Sequence, residues 1–174
     1  MASKKHYILT SITLGAIAAA SALLIGGSNL LTKERIKQNE QESIYKGIAY
    51  IFSDSAEILY DSEIENESYK YVDHVYEIKV NDVDSGYAFK TTGSNMYGKV
   101  SLIIGLNLEG EYLKMKVITD EQTYASTLEK KYITPLNDHE RDIDDVSCGA
   151  TYGAKLVRDM ISEAKQAANE KVWK

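Results

Sequence analysis

The sequence predicts an α+β protein in which an N-terminal transmembrane helix is followed by a small antiparallel-sheet domain with flanking helices. One long uncharged apolar stretch predicts the membrane helix. Apolar residues that alternate with polar ones predict the strands, and a final segment with helical spacing predicts a terminal helix. We therefore divide the chain into a short tail at 1–6, an anchor at 7–31, an amphipathic helix with an acidic linker at 32–69, and a folded domain at 70–174.

The composition excludes several classes of function. The chain has 174 residues, with 20 Lys and Arg against 26 Asp and Glu, and its net charge is −6. Nucleic acid is therefore not expected as a partner, because phosphate contacts need a basic surface. A single Cys cannot form an internal disulfide, so the fold must rest on a packed core.

The apolar stretch at 7–31 is 25 residues long and would span about 37 Å as a helix, which is enough to cross a bilayer. A cleaved secretory signal is the alternative, since Lys4 and Lys5 precede the stretch and small residues occupy 18–22. We expect an uncleaved anchor because the stretch is longer than the usual apolar core of a signal. Basic residues flank both ends, so charge alone does not set the orientation.

After the anchor, helical spacing predicts an amphipathic helix over 34–58, and 61–69 is expected to be an acidic loop. The remaining elements are four strands at 72–80, 86–91, 98–108 and 111–119, a short helix at 123–132 that ends before Pro135, a charged loop at 138–145, and a helix from about 150 to 168. Glu109 and Gly110 are predicted to form a two-residue hairpin connection.

We predict no catalytic residue and no metal site. The three histidines, His6, His74 and His139, share no metal-ligand spacing, and the acidic segments lack the glycine and ligand positions of a calcium loop. Cys148 lies beside small residues at the start of a helix, where a packing role is favoured over a nucleophilic one.

Residues 145–151, Asp-Val-Ser-Cys-Gly-Ala-Thr, lie immediately before the terminal helix and favour an anion site. Gly149 and Ala150 would allow a ligand to approach the backbone closely. The N–H groups of the first helical turn, together with the helix dipole, would stabilise a phosphate beside Thr151. From the residues alone, the Thr151 hydroxyl could be a helix cap, a phosphate ligand or a site of covalent attachment.

This segment resembles the Asp-x-x-Ser/Thr-Gly-Ala-Thr signature of the FMN-binding domain family, which includes the G subunit of the Rnf complex and the C subunit of sodium-translocating NADH:quinone reductase. Further matches are Gly-Tyr-Ala-Phe at 86–89, Tyr-Gly-Lys-Val at 97–100 and Leu-Asn-Leu-Glu-Gly at 106–110. A short N-terminal transmembrane helix is also similar, so the resemblance covers essentially the whole chain.

The resemblance implies that a flavin transferase, which recognises the motif including Asp145, esterifies the phosphate of FMN to Thr151. The other cofactor-binding positions that it implies are Gln122, Thr123, Cys148, Gly149, Ala150 and Tyr152. The chain departs from the family at 122–125, where Gln-Thr-Tyr-Ala replaces Glu-Thr-Pro-Gly. It departs again at Cys148, which replaces a hydroxyl residue, and at Gly153, where a hydroxyl residue is common.

By resemblance, the protein is expected to be a flavoprotein electron carrier of an Rnf-type ion-translocating complex, an electron-transfer subunit rather than an enzyme by itself. Its partners would be other membrane subunits of that complex. The soluble domain would lie outside the cytoplasmic membrane, held by a single-pass anchor. Two alternatives remain: a free-standing extracytoplasmic electron-transfer protein of the same family, and a membrane-tethered binding module without a cofactor.

Overall fold

The computed structural model describes residues 4–64, 69–171 and 173. The chain divides into two compact units, Met1–Glu42 and Ser43–Lys174. Helix α1, Lys4–Ile51, begins in the first unit and ends in the second. Within the described ranges, α1 alone is long and apolar enough to cross a membrane, with a mean hydropathy of 2.2 in its most apolar window.

The second unit contains a five-stranded antiparallel sheet in which each strand pairs with the next along the chain. The strands are β1 (Ala56–Glu63), β2 (Val72–Val80), β3 (Val83–Asn95), β4 (Gly98–Leu106) and β5 (Tyr112–Asp120). A helical stretch follows, made of α2 (Ala125–Leu128), a π-helical turn (Glu129–Ile133) and α3 (Thr134–Asn137), and the last element is α4 (Thr151–Glu170). The predicted α+β class is therefore confirmed.

Both faces of the sheet are covered, and the period of two along β4 explains how. Leu102 and Ile104 point into a core that contains the apolar face of α4, whereas Ile103 points into a smaller core on the opposite face. Ile44 and Ile48, from the last turns of α1, complete this smaller core. The strand is consequently buried on both sides.

Strand β1 is absent from the sequence prediction. The expected helix to residue 58 and the expected loop from 61 are both wrong, because α1 ends at Ile51 and β1 occupies Ala56–Glu63. The N–H of Ala56 donates to the carbonyl of Ser53 over 3.0 Å, which reverses the chain. Since β1 is an edge strand whose side chains are mostly exposed, its sequence lacks the alternation that predicts a strand. Part of the expected acidic loop, 65–68, lies outside the described residues.

The hairpin between β4 and β5 is longer than predicted. Its connection spans 107–111, and the side-chain oxygen of Asn107 accepts from the N–H groups of Glu109 (3.0 Å) and Glu111 (2.8 Å). Gly110 supplies the left-handed residue, with φ +81°. The asparagine therefore closes a five-residue turn that the Glu-Gly pair alone does not define.

The helical stretch after β5 continues beyond its predicted end. Pro135 lies in the first turn of α3, where a helical N–H has no intrahelical partner, so the proline does not interrupt the stretch. The preceding π-helical turn and α3 carry three buried apolar side chains, from Tyr132, Ile133 and Leu136. Packing of these side chains on the core holds the stretch together.

Candidate functional site

A cavity of about 260 Å³ lies at the beginning of α4. Three separate parts of the chain form its wall. Residues 149–153 contribute the start of the helix, Gln122 and Tyr124 come from the connection after β5, and Tyr97 comes from the turn between β3 and β4. The cavity therefore depends on the sheet to bring together segments that are distant in sequence.

The N-terminus of α4 is open toward hydrogen-bond acceptors. Ala150 precedes the helix with φ −118° and ψ 43°, no side chain caps the helix, and its first turn has no acidic residue. The first N–H with an intrahelical partner is that of Ala154, which donates to the Ala150 carbonyl over 2.9 Å. The earlier N–H groups lack intrahelical acceptors. Together with the helix dipole they favour an anionic ligand in the cavity.

Gln122 provides a buried polar group in the wall of this cavity. The residue is 7% exposed, and the described part of the chain offers no acceptor to its Nε2 atom. A buried amide without a partner costs free energy, so a ligand acceptor at this point would be stabilised. The Gln122 N–H donates to Oδ1 of Asp120 over 2.9 Å, which fixes the backbone. Burial raises the pKa of the Asp120 carboxyl, although this hydrogen bond opposes the shift.

Gly153 is matched to Gln122 by packing. A Cβ atom at position 153 would overlap Oε1 of Gln122 and would lie 3.1 Å from Cδ2 of Leu128. Any side chain at 153 would therefore displace the carboxamide of Gln122. Gln122 and Gly153 are both departures from the family pattern. They fit each other, because the carboxamide of Gln122 occupies the space that a side chain at 153 would need.

Three tyrosine rings surround the opening of the cavity. The centroid of the Tyr97 ring lies 5.7 Å from that of Tyr124 and 5.6 Å from that of Tyr152. The Tyr152 carbonyl accepts from Nδ2 of Asn95 over 3.2 Å, and the Tyr97 carbonyl accepts from the Thr123 N–H over 2.9 Å. These bonds tie the β3–β4 turn to both other segments of the wall and position the rings.

The loop before α4 is organised by Arg141. This guanidinium pairs with Asp145 over 3.1 Å and donates to the carbonyls of Lys131 (2.8 Å) and Ser147 (3.3 Å). The phenol of Tyr132 donates to the Ile143 carbonyl from the core side, and burial raises the pKa of Tyr132. Asp145 therefore shapes the approach to the helix and does not line the cavity itself.

The structure brings together five of the eight positions that the resemblance implied. Gln122, Gly149, Ala150, Thr151 and Tyr152 line the cavity. The other three lie outside its wall: the side chain of Cys148 is buried in the core, Thr123 is exposed beside the cavity, and Asp145 is on the loop. Sequence reasoning did not select Tyr97, Tyr124 and Gly153 as site residues. The aromatic excess of 13 tyrosines was visible, but no spacing connects these particular positions.

The fold and the site define a small α+β domain in which an uncapped helix begins at a cavity. The long apolar helix at the N-terminus fits a single-pass membrane protein. Residues 1–48 match the model of the RnfG N-terminal region family. This match, which spans 48 of the 174 residues, supports the similarity to the G subunit of the Rnf complex. A comparison with curated proteins found no match.

Proposed function

We propose that the protein is the flavin-carrying electron-transfer component of an Rnf-type complex, with FMN joined through its phosphate to Thr151. The observation that carries the proposal is the position of Thr151. This half-buried threonine is the first residue of an uncapped helix and lines the cavity. A phosphate ester at its Oγ1 would lie beside N–H groups that lack intrahelical acceptors.

The chain's own residues then have distinct roles. The N–H groups at the start of α4 would neutralise the phosphate charge, and Gly149, with φ +83°, gives the backbone the turn that leads into the helix. Nε2 of Gln122 would donate to an acceptor of the cofactor. FMN itself would supply the chemistry, by accepting and releasing electrons, while the protein sets its position and its exposure to water.

Replacement of Thr151 by valine tests the proposal. The full chain, produced with a flavin transferase, should keep yellow fluorescence on a denaturing gel, and Thr151→Val should abolish it because the nucleophilic oxygen is lost while the branched shape remains. Thr119→Val is the matched control, since Thr119 is exposed on β5, away from the cavity. Flavin retained by Thr151→Val would disprove attachment at this residue. Absence of flavin from the unmodified chain would favour the cofactor-free binding module.

We also propose that α1 is an uncleaved anchor and that the domain lies outside the cytoplasmic membrane. The full chain should stay in the membrane fraction after an alkaline carbonate wash, because transfer of the apolar stretch into water is costly. Protease added to intact spheroplasts should degrade the domain. Cleavage after the apolar stretch, found by mass spectrometry of the N-terminus, would contradict the anchor, and protection of the domain from protease would contradict its side.

A further inference from the structure

We propose that Tyr97, Tyr124 and Tyr152 form an aromatic docking site that holds the ring system of the attached cofactor against the protein. This inference rests on the proposed function, since it concerns the ring of a cofactor that is bound at Thr151. It adds to that function a defined location for the redox-active part of the molecule. The three tyrosines are referred to below as the tyrosine cluster.

The position of the cluster relative to Thr151 is the first argument. Tyr152 directly follows Thr151, and all three tyrosines line the same cavity as the threonine. A flexible ribityl chain separates the phosphate of FMN from its ring, so the ring must settle near the attachment point or remain in solvent. The rings of the cluster are the aromatic surfaces that the described cavity wall offers.

Exposure is the second argument. Tyr124 is 50% exposed and Tyr152 is 59% exposed, although both rings lie beside the half-buried ring of Tyr97. The interplanar angles of 64° for Tyr97 with Tyr124 and 46° for Tyr97 with Tyr152 leave aromatic faces that are not stacked on each other. Flat conjugated ligands stack on such faces, and each aromatic pair adds to the affinity beyond the buried area.

The third argument comes from Gln122, which contributes a hydrogen-bond donor to the same cavity. Its Nε2 atom has no acceptor among the described residues, and the residue is 7% exposed. An isoalloxazine ring carries carbonyl oxygens and ring nitrogens at its edge that accept hydrogen bonds. Aromatic faces next to a buried donor are the combination that such a ring needs, whereas a bare phosphate would use only the helix N-terminus.

Quenching of the flavin fluorescence by the tyrosine rings, together with visible circular dichroism, tests the docking site. The full chain carrying flavin, in detergent, should show weaker flavin fluorescence than free FMN, because a stacked tyrosine quenches the excited flavin by electron transfer. It should also show a visible circular dichroism band from the held ring. Tyr152→Ala and Tyr124→Ala should each shift the equilibrium between docked and exposed ring by about two- to tenfold, the effect of losing one aromatic pair. The flavin fluorescence should then rise and the dichroism should weaken. Tyr152→Phe and Tyr124→Phe should keep the dichroism, because the ring face remains.

Tyr45→Ala is the control, since Tyr45 is an exposed tyrosine on α1 and does not line the cavity. It should leave quenching and dichroism unchanged. If the flavin of the unmodified chain fluoresces like free FMN, or if both alanine variants behave like Tyr45→Ala, docking on the cluster is disproved. The denaturing gel separates this result from failure of the proposed function, because flavin stays attached in the first case. A chain without flavin would overturn both proposals.

Discussion

Alanine at Gly98 is expected to lower the free energy of unfolding by about 3 kcal/mol or more, a large share of the stability of a small domain. The loss should appear in guanidinium titrations of the flavin-free chain in detergent. Trp173 is the single tryptophan and serves as the probe, since its ring lies 5.1 Å from Tyr87 and 5.7 Å from Phe89 in the core.

Two independent costs act at this position. Gly98 has φ +133°, a backbone conformation that side chains rarely adopt. A Cβ atom would also overlap the carbonyl oxygen of Glu121 and lie 3.0 Å from Cα of Gln122. These neighbours are backbone atoms that β5 and its following connection hold in place, so they cannot move aside as the end of a flexible side chain would.

Gly110→Ala is the matched control for Gly98→Ala. Gly110 also has positive φ, at +81°, but the nearest atom to its Cβ is the end of a side chain, Oδ1 of Asn169, at 3.0 Å. This substitution should cost only the conformational strain, roughly 1–2 kcal/mol. Equal losses for the two variants would show that the close approach of the 121–122 backbone adds nothing to the cost of alanine at position 98.

Two of the predicted strands, β2 and β4, contribute many buried side chains to the two cores. β2 buries Val72 and Val75 in the larger core and Tyr76 and Ile78 in the smaller one, and β4 is a continuous buried run from Val100 to Leu106. The face of α4 is likewise set by repeated small and apolar residues. Because the cores select apolar side chains in these elements, the pattern of apolar residues in the sequence is sufficient to find them.

Elements and contacts that depend on the completed fold could not be predicted in this way. β1 is held by backbone pairing with β2, which leaves little trace in its side chains. The cavity forms where the β3–β4 turn, the connection after β5 and the start of α4 lie side by side. The sheet brings these three segments together, and no local sequence pattern indicates that they are neighbours. The motif at 145–151 was identified through its resemblance to a family. The fit between the Gln122 side chain and Gly153 could be recognised only from their packing in the folded domain.

Replacement of Asn137 by alanine is the second substitution with a large expected effect, a loss of about 3 kcal/mol in the free energy of unfolding. Asn137 is 6% exposed and lies at the end of α3, against the outer edge of β5. Its side chain pairs with both backbone groups of Met115: Oδ1 accepts from the N–H over 2.8 Å, and Nδ2 donates to the carbonyl over 2.9 Å.

The same Oδ1 accepts from the phenol of Tyr112 over 2.7 Å, and burial raises the pKa of that phenol. The asparagine thus pairs with Met115 as a neighbouring strand would and closes part of a sheet edge that could otherwise pair with another chain. Removal of the amide leaves the buried backbone groups of Met115 without partners. Each such group costs about 1–3 kcal/mol, which is why the predicted loss exceeds that of an ordinary hydrogen bond.

Asn137→Leu distinguishes hydrogen bonding from packing, because leucine restores much of the volume but none of the polar pairing. It should be destabilised nearly as much as Asn137→Ala in the same Trp173 titration. Asn107→Ala provides the comparison at a solvent-accessible turn, where water can replace the lost bonds and the cost should be about 1 kcal/mol. Stability close to that of the unmodified chain in Asn137→Leu would show that the side chain only fills space. A loss of about 3 kcal/mol in both Asn137 variants, clearly larger than the loss of about 1 kcal/mol in Asn107→Ala, would show that a single amide holds α3 to the edge of the sheet.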